Sequence, residues 1–207
     1  PLRPGSALFG LMELFRFRRG RTPLLVSMPH TGTRVPEWLE PRLTRAAKAL
    51  PDTDWHLEPL YNFLDELDAS VLVATYSRYV VDLNRPPDNA NLYPGQDTTG
   101  VVPVDTFHKE PLYIRSFEPS AAEVSERITS YWKPYHAAVA GAIDAAHVRH
   151  GYSIHLNCHS MPAIAASHAT EFPGMAHADF VIGDRDGSTA DPRLSRLLCE
   201  RLGELGY

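Results

Sequence analysis

Leu24-Leu-Val-Ser-Met28 is a short apolar run bounded by Pro23 and Pro29, and it predicts a buried β-strand. Four more apolar runs predict further strands: Ser70-Val-Leu-Val-Ala74, Tyr79-Val-Val-Asp-Leu83, Ser153-Ile-His-Leu-Asn157 and Asp179-Phe-Val-Ile182. The remaining patterns predict helices over Asp54 to Leu67, over Ser120 to about Arg149 with a kink at Pro134, and over Pro192 to Leu205. Helices spaced among apolar strands predict an α/β sandwich with a largely parallel sheet.

The composition of the 207 residues excludes several classes of protein. Hydrophobic residues make up 43% and charged residues 22% of the chain, which is typical of a folded globular protein. The net charge of −5 gives no basic field, so we expect neither nucleic acid nor a membrane as partner. The two cysteines, Cys158 and Cys199, allow at most one disulfide and favour a reduced, cytoplasmic setting. The composition does not determine the oligomeric state.

Two histidines directly follow predicted strands. His30 lies in Ser27-Met-Pro-His30, and His159 lies in Leu156-Asn-Cys-His159. The carboxyl ends of strands are where α/β sheets build their sites, although a single histidine there can also cap a turn. Together the two histidines predict a shared metal or acid/base site. His155 lies inside its strand and is predicted to be a core or sheet-face residue.

A zinc site with two histidines commonly takes a carboxylate as its third ligand and leaves the fourth position to water. Asp52 and Asp54 are the candidates, and capping of the following helix is the alternative role for both. A metal bound there would lower the pKa of its water towards 7 and polarise an amide carbonyl. The spacing differs from the motifs of common metalloproteases, so the local pattern alone is weak.

A possible anion site ends the run Val81-Asp-Leu-Asn-Arg85. The guanidinium of Arg85 fits a carboxylate bidentately, and Asn84 adds an amide, which suits an amino-acid-like substrate. A surface salt bridge is the alternative role for Arg85, and Asp82 is placed to orient a neighbouring side chain. The loop-rich stretch over 84–118 is long for a compact domain, and such loops are usually functional.

Five stretches together resemble the N-formylglutamate amidohydrolase family. They are Ser27-Met-Pro-His-Thr-Gly-Thr-Arg-Val-Pro36, Asp52-Thr-Asp-Trp55, Ser77-Arg-Tyr-Val-Val-Asp-Leu-Asn-Arg-Pro-Pro87, Asn91-Leu-Tyr-Pro-Gly-Gln-Asp97 and Cys158-His-Ser-Met161. Each is a modest motif, but their order and spacing match from about Phe15 to the end of the chain. The resemblance implies a three-layer sandwich with a largely parallel mixed sheet, as in zinc carboxypeptidases and aspartoacylases. It also implies hydrolysis of N-formyl-L-glutamate to glutamate and formate, in bacterial histidine degradation.

The resemblance implies a role for several residues. It places one zinc ion on His30, Asp54 and His159, and favours Asp54 over Asp52. It makes Asn84 and Arg85 the residues that bind the substrate carboxylate. Arg78 and Arg185 are weaker candidates for a second anion contact, and each is more easily explained as structural.

The catalytic proton-transfer residue is not identified. Related hydrolases use a glutamate in a late strand, and we expect that part of the family domain to be missing after Tyr207. Glu171 in a loop and Glu200 on a helix surface are poor substitutes. We therefore expect one hydrolase domain over 1–207, with an N-terminal extension at 1–14. The alternatives are a hydrolase of other N-acyl amino acids or peptide C-termini, and an inactive binding protein.

Overall fold

A computed structural model describes residues 14–90, 99–165 and 173–207. The chain divides into two compact units, Pro1–Met161 and Pro162–Tyr207. Most of the predicted N-terminal extension, the motif Asn91 to Asp97 and Glu171 lie outside the described residues. The expectation of one domain over 1–207 stays a prediction.

The first unit contains a four-stranded mixed sheet. Its strands are β1 (Phe15–Arg18), β2 (Leu24–Met28), β3 (Ser70–Ala74) and β4 (Ile154–Asn157), in the spatial order β1-β3-β2-β4. The central strand β2 is parallel to both β3 and β4, and β1 is antiparallel to β3. The prediction of a mixed α/β fold with a mostly parallel sheet is therefore confirmed.

Two predicted strands are not formed, and one strand of the sheet was not predicted. Residues 79–83 are buried but form no strand, because the carbonyls of Tyr79 and Val80 accept hydrogen bonds from the Arg127 guanidinium instead of from a neighbouring strand. Residues 179–182 are largely exposed and also form no strand. Conversely, β1 was missed, although its alternation Phe15-Arg-Phe-Arg18 has the period of two expected of a strand.

The helices are shorter or more interrupted than predicted. They are α1 (Arg45–Lys48), α2 (Leu57–Leu60), α3 (Ala121–Arg127), α4 (Lys133–His150) and α5 (Pro192–Glu204), with 3-10 turns at Glu40–Arg42 and Asn62–Asp65. The helix expected over Asp54 to Leu67 is wrong in extent, because Tyr61 leaves helical geometry between α2 and the second 3-10 turn. A π-helical turn, Ile128–Trp132, joins α3 to α4 just before Pro134. The kink predicted at Pro134 therefore lies close to the observed π-helical turn.

Apolar clusters cover both faces of the sheet. On one face Leu25 and Leu72 pack with Tyr135 and Val139 of α4. On the other face Val26, Met28 and Val73 pack with Leu57 of α2 and Leu64 of the second 3-10 turn. Helices therefore lie on both faces of the sheet. The loops after β2 and β4 lie at the edge of the sheet that is formed by the carboxyl ends of these strands.

Among the described residues, none of the helices has the length and apolar character needed to cross a membrane. The amphipathic helix α5 belongs to the second unit, and the Asp191 side chain caps its N-terminus by accepting a hydrogen bond from the backbone N–H of Arg193.

Candidate metal centre

His30 and His159 meet where β2 and β4 end. Each follows its strand by two residues, and the strands are parallel neighbours. The two imidazole ring centroids lie 4.8 Å apart. The structure therefore brings the two strand-end histidines together.

Asp54 joins the two histidines. Its backbone N–H donates to the carbonyl of His30 at 3.0 Å, which holds the Asp54 loop against the end of β2. Its Oδ2 lies 2.9 Å from Nδ1 of His159 and 3.8 Å from Nδ1 of His30. One ligand atom from each of the three side chains lies within 4.8 Å of the others. His30 and Asp54 are buried, while the His159 side chain is one-third exposed.

Asp82 orients the His30 ring. Its Oδ1 accepts a hydrogen bond from Nε2 of His30 at 2.8 Å, and its Oδ2 accepts one from the guanidinium of Arg78. Burial lowers the pKa of His30 despite the opposing charge of Asp82, and Arg78 and His159 add to the lowering. Burial alone would raise the pKa of Asp82, but His30, Arg78 and the Asn84 backbone N–H bring it well below its usual range. A neutral His30 that donates from Nε2 directs the lone pair of Nδ1 towards Asp54 and His159.

This donor set fits a divalent metal ion. Two imidazoles and one carboxylate are a common zinc ligand set, and a histidine that ligates a metal usually donates its other ring N–H to a carboxylate or carbonyl. The Nε2–Asp82 contact of His30 has this arrangement. Residues His30, Asp54 and His159 could therefore hold one metal ion.

The structure separates the two candidate aspartates. Oδ2 of Asp52 accepts a hydrogen bond from the backbone N–H of Phe107 at 3.0 Å, and Asp52 is absent from the cluster of ligand atoms. Neither aspartate caps α2, whose N-cap residue is His56 with no side-chain cap. The alternative capping role is thus wrong for both residues.

Asn84, which precedes Arg85, is linked to His30 through the carboxylate of Asp82. The backbone N–H of Asn84 donates to Oδ1 of Asp82 at 2.9 Å, the same oxygen that accepts from His30. The guanidinium of Arg85 makes no hydrogen bond or ion pair with the described part of the chain. Arg85 lines a small cavity of about 160 Å³, together with Pro86, Asn89, Ala90, Thr99 and Gly100.

The other two arginines are placed differently. Arg78 is buried, bound to Asp82, and stacked over the Phe107 ring with 4.4 Å from Cζ to the ring centroid. Its guanidinium is therefore engaged in structural contacts. Arg185 is exposed in a turn of the second unit, and Glu200 is exposed on α5, as predicted.

Sequence reasoning missed the side chains that hold the Asn84 segment. Trp132 Nε1 donates to the carbonyl of Arg85 at 2.8 Å, and Nε2 of His136 lies 2.9 Å from the carbonyl of Leu83. These two rings stack with centroids 3.8 Å apart. The signal available in the sequence was their i,i+4 spacing on a helix, which places two side chains on one face.

Fold and site together define an α/β protein with a two-histidine, one-aspartate candidate metal centre where parallel strands end. A sequence profile described as N-formylglutamate amidohydrolase matches residues 22–207. The chain belongs to this family.

Similar proteins agree with this assignment. The N-formylglutamate deformylase of Pseudomonas aeruginosa is 42% identical over 186 residues, which cover 90% of this chain and 68% of that protein. The enzyme of the same name from Pseudomonas putida is 39% identical over 190 residues, covering 92% and 68%. A crystal structure of N-formylglutamate amidohydrolase from Ralstonia eutropha JMP134 superposes with a TM-score of 0.78 at 32% identity, covering 94% of this chain and 74% of that one.

Proposed function

We propose that this protein is a zinc-dependent amidohydrolase that cleaves N-formyl-L-glutamate to L-glutamate and formate. The observation that carries the proposal is the convergence of His30, Asp54 and His159, whose ligand atoms lie within 4.8 Å of one another. Two relatives near 40% identity are named N-formylglutamate deformylase, which supports the same substrate. One zinc ion is the proposed cofactor.

The three ligands and Asp82 form the reacting end of the proposed site. A zinc ion bound there would supply Lewis acidity and lower the pKa of a coordinated water towards 7. Asp82 keeps His30 in the tautomer that has a free lone pair on Nδ1. Asp54 contributes a carboxylate in a buried setting, where its charge compensates the positive charge of the metal ion.

Asn84 and Arg85 form the end of the site that binds the glutamate carboxylate. A guanidinium that has no polar partner among the described residues is available for a bidentate contact with a carboxylate. The Asn84 amide can donate to the same anion. Because Oδ1 of Asp82 bonds both His30 and the Asn84 backbone, the anion-binding end is fixed relative to the ligands.

Asp82 is a poor candidate for the general base, because it is fully buried and its two oxygens already accept hydrogen bonds from His30, Arg78 and Asn84. Its role is to position these groups. The proposed metabolic setting is histidine degradation in the cytoplasm, with a small N-acyl amino acid as substrate.

Formate release from N-formyl-L-glutamate tests the proposal. The protein is stripped with a chelator, reloaded with one equivalent of zinc, and assayed beside the stripped sample. N-acetyl-L-glutamate and a peptide with C-terminal glutamate serve as comparison substrates. We expect zinc-dependent release of formate, with the formyl compound the preferred substrate.

Other outcomes would contradict separate parts of the proposal. Equal rates in the stripped and reloaded samples would contradict zinc dependence. Zinc-dependent hydrolysis of the acetyl or peptide substrate alone would keep the metal centre and reject the formyl specificity. A folded, zinc-loaded protein that binds L-glutamate but hydrolyses none of the three would favour a binding protein.

A further inference from the structure

A row of polar side chains leads from the buried sheet to Asn84. The Ser27 hydroxyl lies 2.8 Å from Nε2 of His155 and donates to Oδ1 of Asn157 at 2.8 Å. Nδ2 of Asn157 in turn donates to Oδ1 of Asn84 at 2.8 Å. None of these contacts belongs to the ligand cluster. The row ends at one of the two residues proposed to bind the substrate carboxylate.

The Asn157 amide, with Oδ1 on Ser27 and Nδ2 on Asn84, sets the direction of these hydrogen bonds. With the amide in this orientation, the one proton of the Ser27 hydroxyl goes to Oδ1 of Asn157, so Nε2 of His155 donates to the Ser27 oxygen. Asn157 then accepts with its oxygen and donates with its nitrogen. Asn84 accepts with its oxygen and keeps both hydrogens of its own amide nitrogen for another partner.

We propose that Ser27 and Asn157 are positioning residues that hold the Asn84 side chain with its NH₂ group towards the substrate carboxylate. This inference rests on the proposed function, which assigns Asn84 to the anion-binding end. The opposite amide orientation would present Oδ1 of Asn84 to an anion and repel it. By fixing the Asn84 amide in this orientation, Ser27 and Asn157 favour a carboxylate as the group that binds beside Arg85.

The strand register places Ser27 beside Asn157. In the parallel pair β2 and β4, Ser27 lies opposite Asn157 and Leu25 lies opposite His155. Ser27 is 1% exposed and lies on the same face of β2 as Leu25, which belongs to an apolar cluster. A buried hydroxyl that loses its partner is costly, so Ser27 holds Asn157 in one orientation.

The main chain at Asn84 is fixed by other contacts. Its N–H bonds Asp82, while the preceding and following carbonyls contact His136 and Trp132. Only the side-chain torsions of Asn84 are left free by these contacts. Asn157 determines which amide atom faces outward.

A double-mutant cycle tests the proposal on the zinc-loaded protein. The variants are Ser27→Ala, Asn157→Leu and Asn84→Ala, and each of the first two combined with the third. Calorimetry measures the affinity for L-glutamate, and steady-state assays give KM and kcat for N-formyl-L-glutamate. Ser77→Ala is the control, because Ser77 is equally buried at 1% exposure but its hydroxyl accepts from the Tyr79 N–H.

We expect Ser27→Ala and Asn157→Leu each to weaken glutamate binding about tenfold and to raise KM similarly, since a hydrogen bond to a charged group is lost. The value of kcat should stay nearly constant, because the carboxylate contact contributes to ground and transition states alike. In the Asn84→Ala background neither change should have a further effect. Additive losses would mean that Ser27 and Asn157 act independently of Asn84, and would overturn the proposal.

A readout without substrate separates this inference from the proposed function. The ¹⁵N chemical shifts of labelled histidine, assigned with a His155→Gln variant, report which ring nitrogen of His155 carries the proton. A proton on Nε2 supports the direction of the row, and a proton on Nδ1 alone overturns it. If the wild type binds neither glutamate compound, the proposed function fails, and the His155 spectrum still decides the amide orientation.

Discussion

Nε2 of His30 and Oδ1 of Asp82 lie 2.8 Å apart, and both side chains are buried. The same Asp82 oxygen accepts from the Asn84 backbone, and the other oxygen binds Arg78. Asp82 therefore links a candidate metal ligand, the candidate anion site and a buried cation. We expect its removal to affect metal affinity before it affects any direct contact with substrate.

Asp82→Asn should weaken zinc binding by about ten- to a hundredfold, the usual cost of losing a carboxylate that orients a ligating histidine. Competition with a chromophoric chelator measures the affinity. The metal-free variant should also unfold more easily, because Arg78 keeps its charge without its buried partner. Asp65→Asn removes the same charge from an exposed pair with Arg18 and should leave zinc affinity unchanged. Equal zinc affinity in wild type and Asp82→Asn would contradict the orienting role.

Metal content should depend on the three proposed ligands. His30→Ala, His159→Ala and Asp54→Ala each remove one of the converging ligand atoms, so the zinc bound after dialysis should fall from one equivalent to near zero. His155→Ala is the matched control, because this residue precedes His159 by four positions and bonds Ser27 instead. Atomic absorption on the folded proteins measures the zinc. If His30→Ala and His159→Ala both retained one full equivalent of zinc, the proposed metal centre would be rejected.

The local sequence pattern was enough to find the two histidines of this site, but it did not separate the two candidate aspartates. His30 and His159 were found because each directly follows an apolar run, and parallel strands bring such positions together. The choice between Asp52 and Asp54 needed the family resemblance, since both precede the same helix. The structure separates them by contacts made far along the chain, such as Asp52 with the Phe107 backbone.

Long-range hydrogen bonding explains what was missed. The run Tyr79 to Leu83 has the composition of a strand, yet its carbonyls bond Arg127, which lies 47 residues or more away in the sequence. Ser27 resembles an ordinary strand residue until β4 places Asn157 beside it. Local patterns predict burial in these cases, but the partner of each polar group depends on tertiary contacts.

Arg85→Lys should weaken L-glutamate binding almost as much as Arg85→Met, about tenfold or more, because an ammonium cannot reproduce a bidentate guanidinium contact. Calorimetry on the zinc-loaded proteins measures the affinities. Zinc stoichiometry should stay at one equivalent in both variants, since Arg85 is not among the ligands. Wild-type affinity in Arg85→Met would exclude Arg85 from the anion site.

Gly32 lies where the chain leaves His30, and its backbone is pressed against residues 75 and 76. A Cβ at this position would lie 2.2 Å from the carbonyl oxygen of Tyr76. Gly32→Ala should therefore destabilise the protein by about 1–3 kcal/mol or more, since backbone atoms must move. Gly141→Ala is the control, because beyond its chain neighbours and the backbone of α4 itself nothing lies within 4 Å of its Cβ position, and helix propensity predicts a gain of about 1 kcal/mol. Urea unfolding of the metal-free proteins should show a lower free energy of unfolding than wild type for Gly32→Ala and a higher one for Gly141→Ala.

Glu123 makes part of the stability dependent on pH. It binds Arg42 at 2.7 Å and also pairs with Arg127, whose side chain is almost fully buried. Burial alone would raise the pKa of Glu123, but these two arginines bring it below its ordinary value. A carboxyl group with a lowered pKa in the folded state stabilises that state above its unfolded pKa, and this contribution disappears as the pH falls through the folded pKa.

Glu123→Gln should therefore lower the free energy of unfolding by about 1–3 kcal/mol at pH 7, because two charge-assisted hydrogen bonds are weakened. The difference from wild type should begin to shrink below pH of about 4.3, the ordinary glutamate pKa, and be smallest once the folded-state carboxyl is protonated. Urea unfolding at a series of pH values measures it. Glu126→Gln on the same helix is the control, since no hydrogen bond or ion pair of its side chain is found among the described residues. A difference that stays constant between pH 7 and pH 3 would show that the stability lost in Glu123→Gln comes from altered packing and not from the charge.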